Sequence, residues 1–183
     1  MVISYAWLEA AVRIRLADIT QPTQFREKVG PLTLDLGYHY GAQVEPVDLF
    51  LTVSPVQGGH RLDGEFAYRA VLPCSRCLEE ARVEGTATFL LDYQPASQAP
   101  IPEEEVEVSI EETQILYYDE DGLALDALVS QQLYLEFPEK VLCRPDCRGL
   151  CPRCGADLNQ GPCSCPPEGD SRWTALGQLQ KKS

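Results

Sequence analysis

Histidine is nearly missing from this chain of 183 residues: only His39 and His60 occur, both far upstream of its cysteine-rich segment. An open catalytic zinc site usually sets His or carboxylate ligands beside a water, so a catalytic metal finds little support. No apolar run approaches the length of a membrane span. The first residues, Met1 to Glu9, have no basic start and are interrupted by Glu9, so a signal peptide is not expected and a reducing cytoplasm is the expected location. A Gly-rich phosphate loop, a nucleophile elbow, a Ser/His/Asp set and an internal repeat are also missing, so nucleotide and acyl-transfer chemistry have no signature. Carboxylates are plentiful, yet no pattern selects a pair of them for acid–base work.

Cysteine is what the chain does have. Six of its eight cysteines, Cys143, Cys147, Cys151, Cys154, Cys163 and Cys165, fall within 23 residues rich in Pro and Gly. Cys151-Pro152-Arg153-Cys154-Gly155 has the form of a zinc knuckle. Two thiolates two residues apart can face one ion while the backbone between them turns, and Gly after the second Cys accepts a positive φ. Tetrahedral Zn²⁺ needs four ligands and the segment offers six, so one Zn²⁺ held by four of these thiolates is expected. Cys143, Cys147, Cys151 and Cys154 form one compact set; Cys151, Cys154, Cys163 and Cys165 form another with two close pairs, and mixed sets are open. Spacing alone does not choose. In a reducing compartment such a cluster favours metal over disulfide, and the expected role is structural.

A second Cys-x-x-Cys lies upstream, in Pro73-Cys74-Ser75-Arg76-Cys77-Leu78. Cys74 and Cys77 could complete a zinc site with spare tail cysteines, form a redox dithiol, or sit idle. A thioredoxin-like dithiol would need a helix to follow in a βαβ setting, and the pattern supplies none.

Charge is unevenly distributed. Residues 1–139 hold 8 Lys/Arg against 24 Asp/Glu, a formal −16, while residues 140–183 hold 7 against 4, or +3, within a total of −13. The acidic part should repel a phosphate backbone and suit a basic protein partner. Arg144, Arg148 and Arg153 in the tail are the candidate RNA contacts.

Period-two alternation marks strands at Val12 to Leu16, Leu32 to Leu36, Val47 to Val53, Arg61 to Leu72 and Val83 to Tyr93. Apolar residues on both sides of the last run suggest that both its faces are covered. Residues 20–30, polar and containing Pro22, read as a loop. The two long runs flank Cys74 and Cys77, which places that pair at a hairpin tip. Residues 94–105 read as an acidic connector, with strand pattern returning at Val106 to Ile110 and Ile115 to Tyr118. One helix follows, capped by Asp126, with Leu125, Leu128, Val129, Gln132 and Leu133 on one face and Pro138 as its stop. Ser171 to Leu179 is a short amphipathic segment. The expected class is α+β: a mainly antiparallel β body with one C-terminal helix and a cysteine-rich zinc-binding loop. Residues 1–11 read as an N-terminal extension, 12–138 as the body and 139–183 as the zinc-binding tail.

Four landmarks in order resemble the YceD family, which is associated with accumulation of large-subunit ribosomal RNA in bacteria and plastids. They are Leu72-Pro73-Cys74-Ser75-Arg76-Cys77-Leu78, the helix from Leu123 to Pro138, Cys143 to Gly155, and Ser171-Arg172-Trp173-Thr174-Ala175-Leu176. The resemblance covers about residues 12–180. The resemblance implies a non-enzymatic ribosome biogenesis factor supporting 23S rRNA accumulation, encoded in many genomes beside a large-subunit ribosomal protein. Its partner would be a basic ribosomal protein or an assembly intermediate, with rRNA contacted indirectly and neither membrane nor small-molecule substrate involved. Some relatives lack the full cysteine set, which implies that zinc supports the fold and is not the activity. Two other readings are a zinc-dependent protein adaptor or regulator and a dithiol oxidoreductase using Cys74 and Cys77.

Structural zinc in finger peptides contributes roughly 10–16 kcal/mol of apparent binding energy. A strong chelator should therefore disorder residues 143–165 while the β body, with its own core, survives. Hydrogen exchange checks this: protection should vanish in the tail and persist in the strands.

Overall fold

The computed structural model describes residues 12–37, 41–99 and 115–165. The class read from the sequence holds: among the described residues, a mostly antiparallel sheet with one α-helix near its C-terminal end. In chain order the strands are β1 (Arg13–Ile14), β2 (Thr23–Val29), β3 (Leu32–Asp35), β4 (Gly41–Val44), β5 (Val47–Val56), β6 (Gly59–Pro73), β7 (Glu80–Pro95), β8 (Ile115–Tyr118) and β9 (Leu123–Ala124), followed by α1 (Leu125–Glu136).

β6 is the spine of a seven-stranded sheet. One of its edges is paired along its length with β7, while its other edge is shared by β5 near its start and β4 near its end. β2 extends the sheet beyond β5, β3 extends it beyond β4, and β8 lies parallel to β7 at Asp92 to Pro95. Alternation then decides which side is wet. Leu62, Phe66, Tyr68, Ala70 and Leu72 of β6 are buried, as are Val47, Leu49, Leu51 and Val53 of β5. α1 packs its Leu125, Leu128, Val129, Gln132 and Leu133 inward, the face expected from helical spacing, and touches β2, β3 and β7. A helix that reaches strands on opposite sides of the sheet requires the sheet to curl around it.

Several details depart from the sequence reading. Residues 23–29 form β2, not a loop: Phe25 and Val29 face the core while Gln24, Arg26 and Lys28 face water. Among the described residues β2 pairs only with β5, and an edge strand tolerates Thr and Glu at inward positions and Pro22 just before its start. β4 begins at Gly41, a strand that the turn-rich surroundings concealed. The run 12–16 pairs only at Arg13 and Ile14, with β9, before a 3₁₀ turn at Leu16–Asp18. β7 is covered on one face only: Ala87 and Phe89 are buried, but Leu90 is 62% exposed. Asp126 does not cap α1. Ala124 occupies that position without a side-chain bond, and the amide of Leu125 donates to the carbonyl of Val12 at 3.0 Å. Because β9 runs straight into the helix, its pairing with β1 satisfies the first amide, and Asp126 falls inside the first turn. The helix ends where expected, with Phe137 in extended geometry before Pro138. The segments 106–110 and 171–179 lie outside the described residues.

Two glycines let aromatic rings lie flat across the β6–β7 ladder. Gly64 is paired with Phe89 and Gly85 with Tyr68. A Cβ on Gly64 would run into the Phe89 ring, and one on Gly85 would come within 2.7 Å of the Tyr68 hydroxyl. Gly64→Val should displace Phe89 and cost about 1–3 kcal/mol in urea unfolding, the usual range for overpacking. An unchanged midpoint would show that Phe89 can leave its place over Gly64 without loss.

Candidate metal centres

The β6–β7 hairpin carries Cys74 and Cys77 at its tip, and the chain beyond α1 returns to it. Ser75 donates its amide to the carbonyl of Val141 at 2.8 Å, and the Val141 amide donates to Ser75 Oγ at 3.1 Å. Arg76 Nη1 donates to the carbonyl of Cys147 at 2.6 Å, and the Leu150 amide donates to the carbonyl of Arg76 at 3.1 Å. These bonds bring Cys143 and Cys147 against the hairpin cysteines.

The eight thiols therefore sort into two tetrads, Cys74/Cys77/Cys143/Cys147 and Cys151/Cys154/Cys163/Cys165, each with its sulfurs within 4.8 Å of one another. Within the first, Cys74 and Cys147 sulfurs are 3.7 Å apart and those of Cys77 and Cys143 are 3.5 Å apart. A tetrahedral zinc with Zn–S near 2.3 Å would set its sulfurs about 3.8 Å apart, so the first set fits such an ion with little adjustment. All six tail cysteines proposed from sequence as ligands lie in one tetrad or the other. Of the two sets that the spacing left open, the structure assembles the second; Cys143 and Cys147 join Cys74 and Cys77 instead. Arg144, Arg148 and Arg153 are exposed around these centres, with Arg144 3.6 Å from Asp146.

The two Cys-x-x-Cys turns are built alike. In the first, the Leu78 amide donates to the Cys74 carbonyl at 3.0 Å and the Cys74 amide to the Glu79 carbonyl at 2.8 Å. In the second, Gly155 donates to Cys151 at 2.9 Å and Cys151 to Ala156 at 2.8 Å. The residue after each second cysteine is left-handed, with φ 66° at Leu78 and 72° at Gly155. Of the three roles the sequence left open for Cys74 and Cys77, the structure assembles the first, bringing them together with the tail cysteines Cys143 and Cys147.

Thiol acidities follow the same duplication. Burial opposes ionisation of Cys74 most strongly, yet hydrogen bonds from the backbone around Cys143, Arg76 and Cys77 bring it down to about 6. Cys151 is lowered to about 6 by the backbone around Cys154 and Arg153. Burial, and then the neighbouring thiol of Cys77, push Cys143 up to about 12. Cys165 is pushed up to about 12 by the thiol of Cys154 and then by burial. Each tetrad thus pairs an easily ionised sulfur with one that holds its proton while no cation offsets the charge. A bound divalent ion would relieve that conflict.

The fold and site together define a small β-sheet protein with paired thiol knuckles. The chain belongs to the YceD family, "Large ribosomal RNA subunit accumulation protein YceD", whose profile it matches over residues 62–180. That span contains the hairpin from Leu62 onward, the helix and all eight cysteines. Uncharacterised proteins of Mycobacterium tuberculosis and Mycobacterium bovis are each 29% identical to it over 86% of both chains. A maize protein, the chloroplastic large ribosomal RNA subunit accumulation protein YCED homolog 1, is 28% identical over 85% of this chain and 61% of its own length. No solved structure matches the chain.

Left-handed backbone costs a non-glycine L-residue roughly 1–2 kcal/mol, and Leu78 is 46% exposed, so little packing offsets it. Leu78→Gly should therefore raise stability, by up to about 1 kcal/mol after the extra unfolded-state entropy of glycine. A lowered thermal midpoint would mean that the leucine side chain matters more than its backbone strain.

Proposed function

We propose that this protein is a non-enzymatic, cytoplasmic factor in large-subunit biogenesis, supporting 23S rRNA accumulation by holding a basic ribosomal protein or assembly intermediate. The family match over residues 62–180 carries this reading. Structural Zn²⁺ is the cofactor that the all-thiolate sets suit, with no carboxylate or histidine ligand to leave a reactive position open.

Charge placement supports the choice of partner and narrows where it sits. The water-facing side of the sheet interleaves both signs: Arg61 with Asp92 at 2.7 Å and Arg69 with Glu84 at 3.8 Å. That face is nearly self-neutralised. Residues 1–99 carry 12 Asp/Glu and 8 Lys/Arg, whereas residues 100–139 carry 12 Asp/Glu and no Lys or Arg. The acidic surplus therefore belongs to the connector, the Asp119–Asp121 turn and the helix, and a Lys/Arg-rich partner would be attracted there. Arg144, Arg148 and Arg153 would meet phosphates once that complex had formed.

An oxidoreductase reading suits the environment of the first knuckle poorly. Cys74 is acidified, but it is wholly buried and Cys77 is 5% exposed, so neither offers a nucleophile to a substrate. The hairpin tip leads into β7, where a thioredoxin-like dithiol would lead into a helix. The zinc-dependent adaptor reading differs in consequence, since it does not require large-subunit RNA to fall on deletion.

Binding to a basic large-subunit protein should weaken steeply as salt passes about 0.1 M, where the Debye length is about 10 Å. Replacing Arg144, Arg148 and Arg153 together by Gln should reduce RNA crosslinking and leave protein binding largely intact. Tight binding of naked ribosomal RNA by the purified protein would overturn this division of labour. Normal large-subunit RNA in a deletion strain would overturn the biogenesis role.

A further inference from the structure

We propose that the chain carries two zinc ions of unequal standing. An inner ion on Cys74, Cys77, Cys143 and Cys147 clamps the sheet to the tail. An outer, exchangeable ion on Cys151, Cys154, Cys163 and Cys165 loads only after the inner site has formed. The inference does not depend on the ribosomal reading above.

The two tetrads share no cysteine, so each can complete a tetrahedral shell without a bridging sulfur. Their surroundings differ sharply. In the inner set Cys74, Cys147 and Cys77 are 0%, 1% and 5% exposed and Cys143 alone is half-buried, whereas in the outer set Cys151 alone is buried, Cys163 and Cys165 are half-buried and Cys154 is open to water. A competing chelator or thiol reagent must approach a ligand sulfur, and the outer set offers it the more open approach. The inner ligands also come from segments far apart in the chain, joined at the Ser75–Val141 contacts. An ion there closes a long loop and locks the hairpin tip to the residues after α1.

The order of loading follows from what leans on what. Cys151 lies four residues beyond Cys147, and the stretch between is held on the hairpin tip. Leu150 donates to the Arg76 carbonyl, and Gly149, left-handed at φ 76°, sits so close that a Cβ would meet that same oxygen at 3.0 Å. Asn159, between Cys154 and Cys163, donates through Nδ2 to Cys147 Sγ at 3.6 Å and accepts the Arg148 amide through Oδ1 at 2.7 Å. The outer loop is thus braced on a sulfur of the inner tetrad. The Ser75–Val141 bonds that assemble the inner tetrad involve no residue of 151–165, so it can form first.

The test uses full-length protein purified without chelator. Elemental analysis and native mass spectrometry should find two zinc ions per chain. A competing chelator should release them in two equal phases, the faster from the outer site. Cys163→Ser with Cys165→Ser should remove one ion, and the cobalt-substituted variant should keep tetrathiolate absorption from the other. Cys77→Ser with Cys143→Ser should lose both ions. Because that variant could also simply misfold, Asn159→Ala provides a milder probe with all eight thiols kept; it should speed the fast phase more than the slow one, which loses a single hydrogen bond to Cys147. One zinc per chain, iron in place of zinc, loss of both ions from the Cys163/Cys165 variant, or an unchanged fast phase in Asn159→Ala would each overturn the proposal.

Discussion

The pairing of β6 with β7 governs the rest of the structure. Their ladder runs without a break from His60 opposite Tyr93 to Pro73 opposite Glu80, and each end of it delivers something essential. At the open end, Asp92 to Pro95 accept β8, and His60 lies buried with its Nε2 3.0 Å from the Ile19 carbonyl and its ring edge-on to Tyr118. At the closed end the same register turns Cys74 and Cys77 toward the tail. A slip of one residue would exchange the wet and dry faces of one strand relative to the other and disturb the hairpin tip that presents the thiols to Cys143 and Cys147. The glycines opposite Phe89 and Tyr68 help fix that register, since each ring has room only where its partner lacks a side chain.

The described tail, 139–165, has almost no regular structure and little apolar burial of its own: Val141, Cys147 and Cys151 are its buried apolar residues. Hydrophobic burial worth about 25 cal/mol per Å² cannot order so polar a segment. Its order comes from specific bonds to the hairpin tip and from the convergence of thiols. Such arrangements persist only while every partner is in place. Each tetrad, left without a cation, must keep some sulfurs protonated in close company.

Much of this architecture was legible because it obeys simple periods. Alternation located β5, β6 and β7, and helical spacing gave the buried face of α1 residue for residue. Elements governed by partners were not legible. β2 carries Thr and Glu at inward positions because it lies at an edge, so its own composition looks like a loop. Asp126 reads as a cap in isolation, yet the chain that precedes the helix is already paired and supplies the first acceptor from Val12.

For the cysteines the division is clearest. Their number, clustering and two Cys-x-x-Cys turns are properties of the sequence, and so is their suitability for a thiophilic metal. Local chain geometry determines that two thiols two residues apart can face one point. It says nothing about which second pair will meet them, because that depends on where the hairpin tip and the end of α1 lie in space. Only the tertiary structure joined Cys74 and Cys77 to Cys143 and Cys147, across some seventy residues, leaving Cys151 and Cys154 to Cys163 and Cys165. The charge follows the same rule. Its excess and its concentration in residues 100–139 were written in the sequence, whereas folding set Arg61 beside Asp92 and Arg69 beside Glu84 across the sheet's outer face.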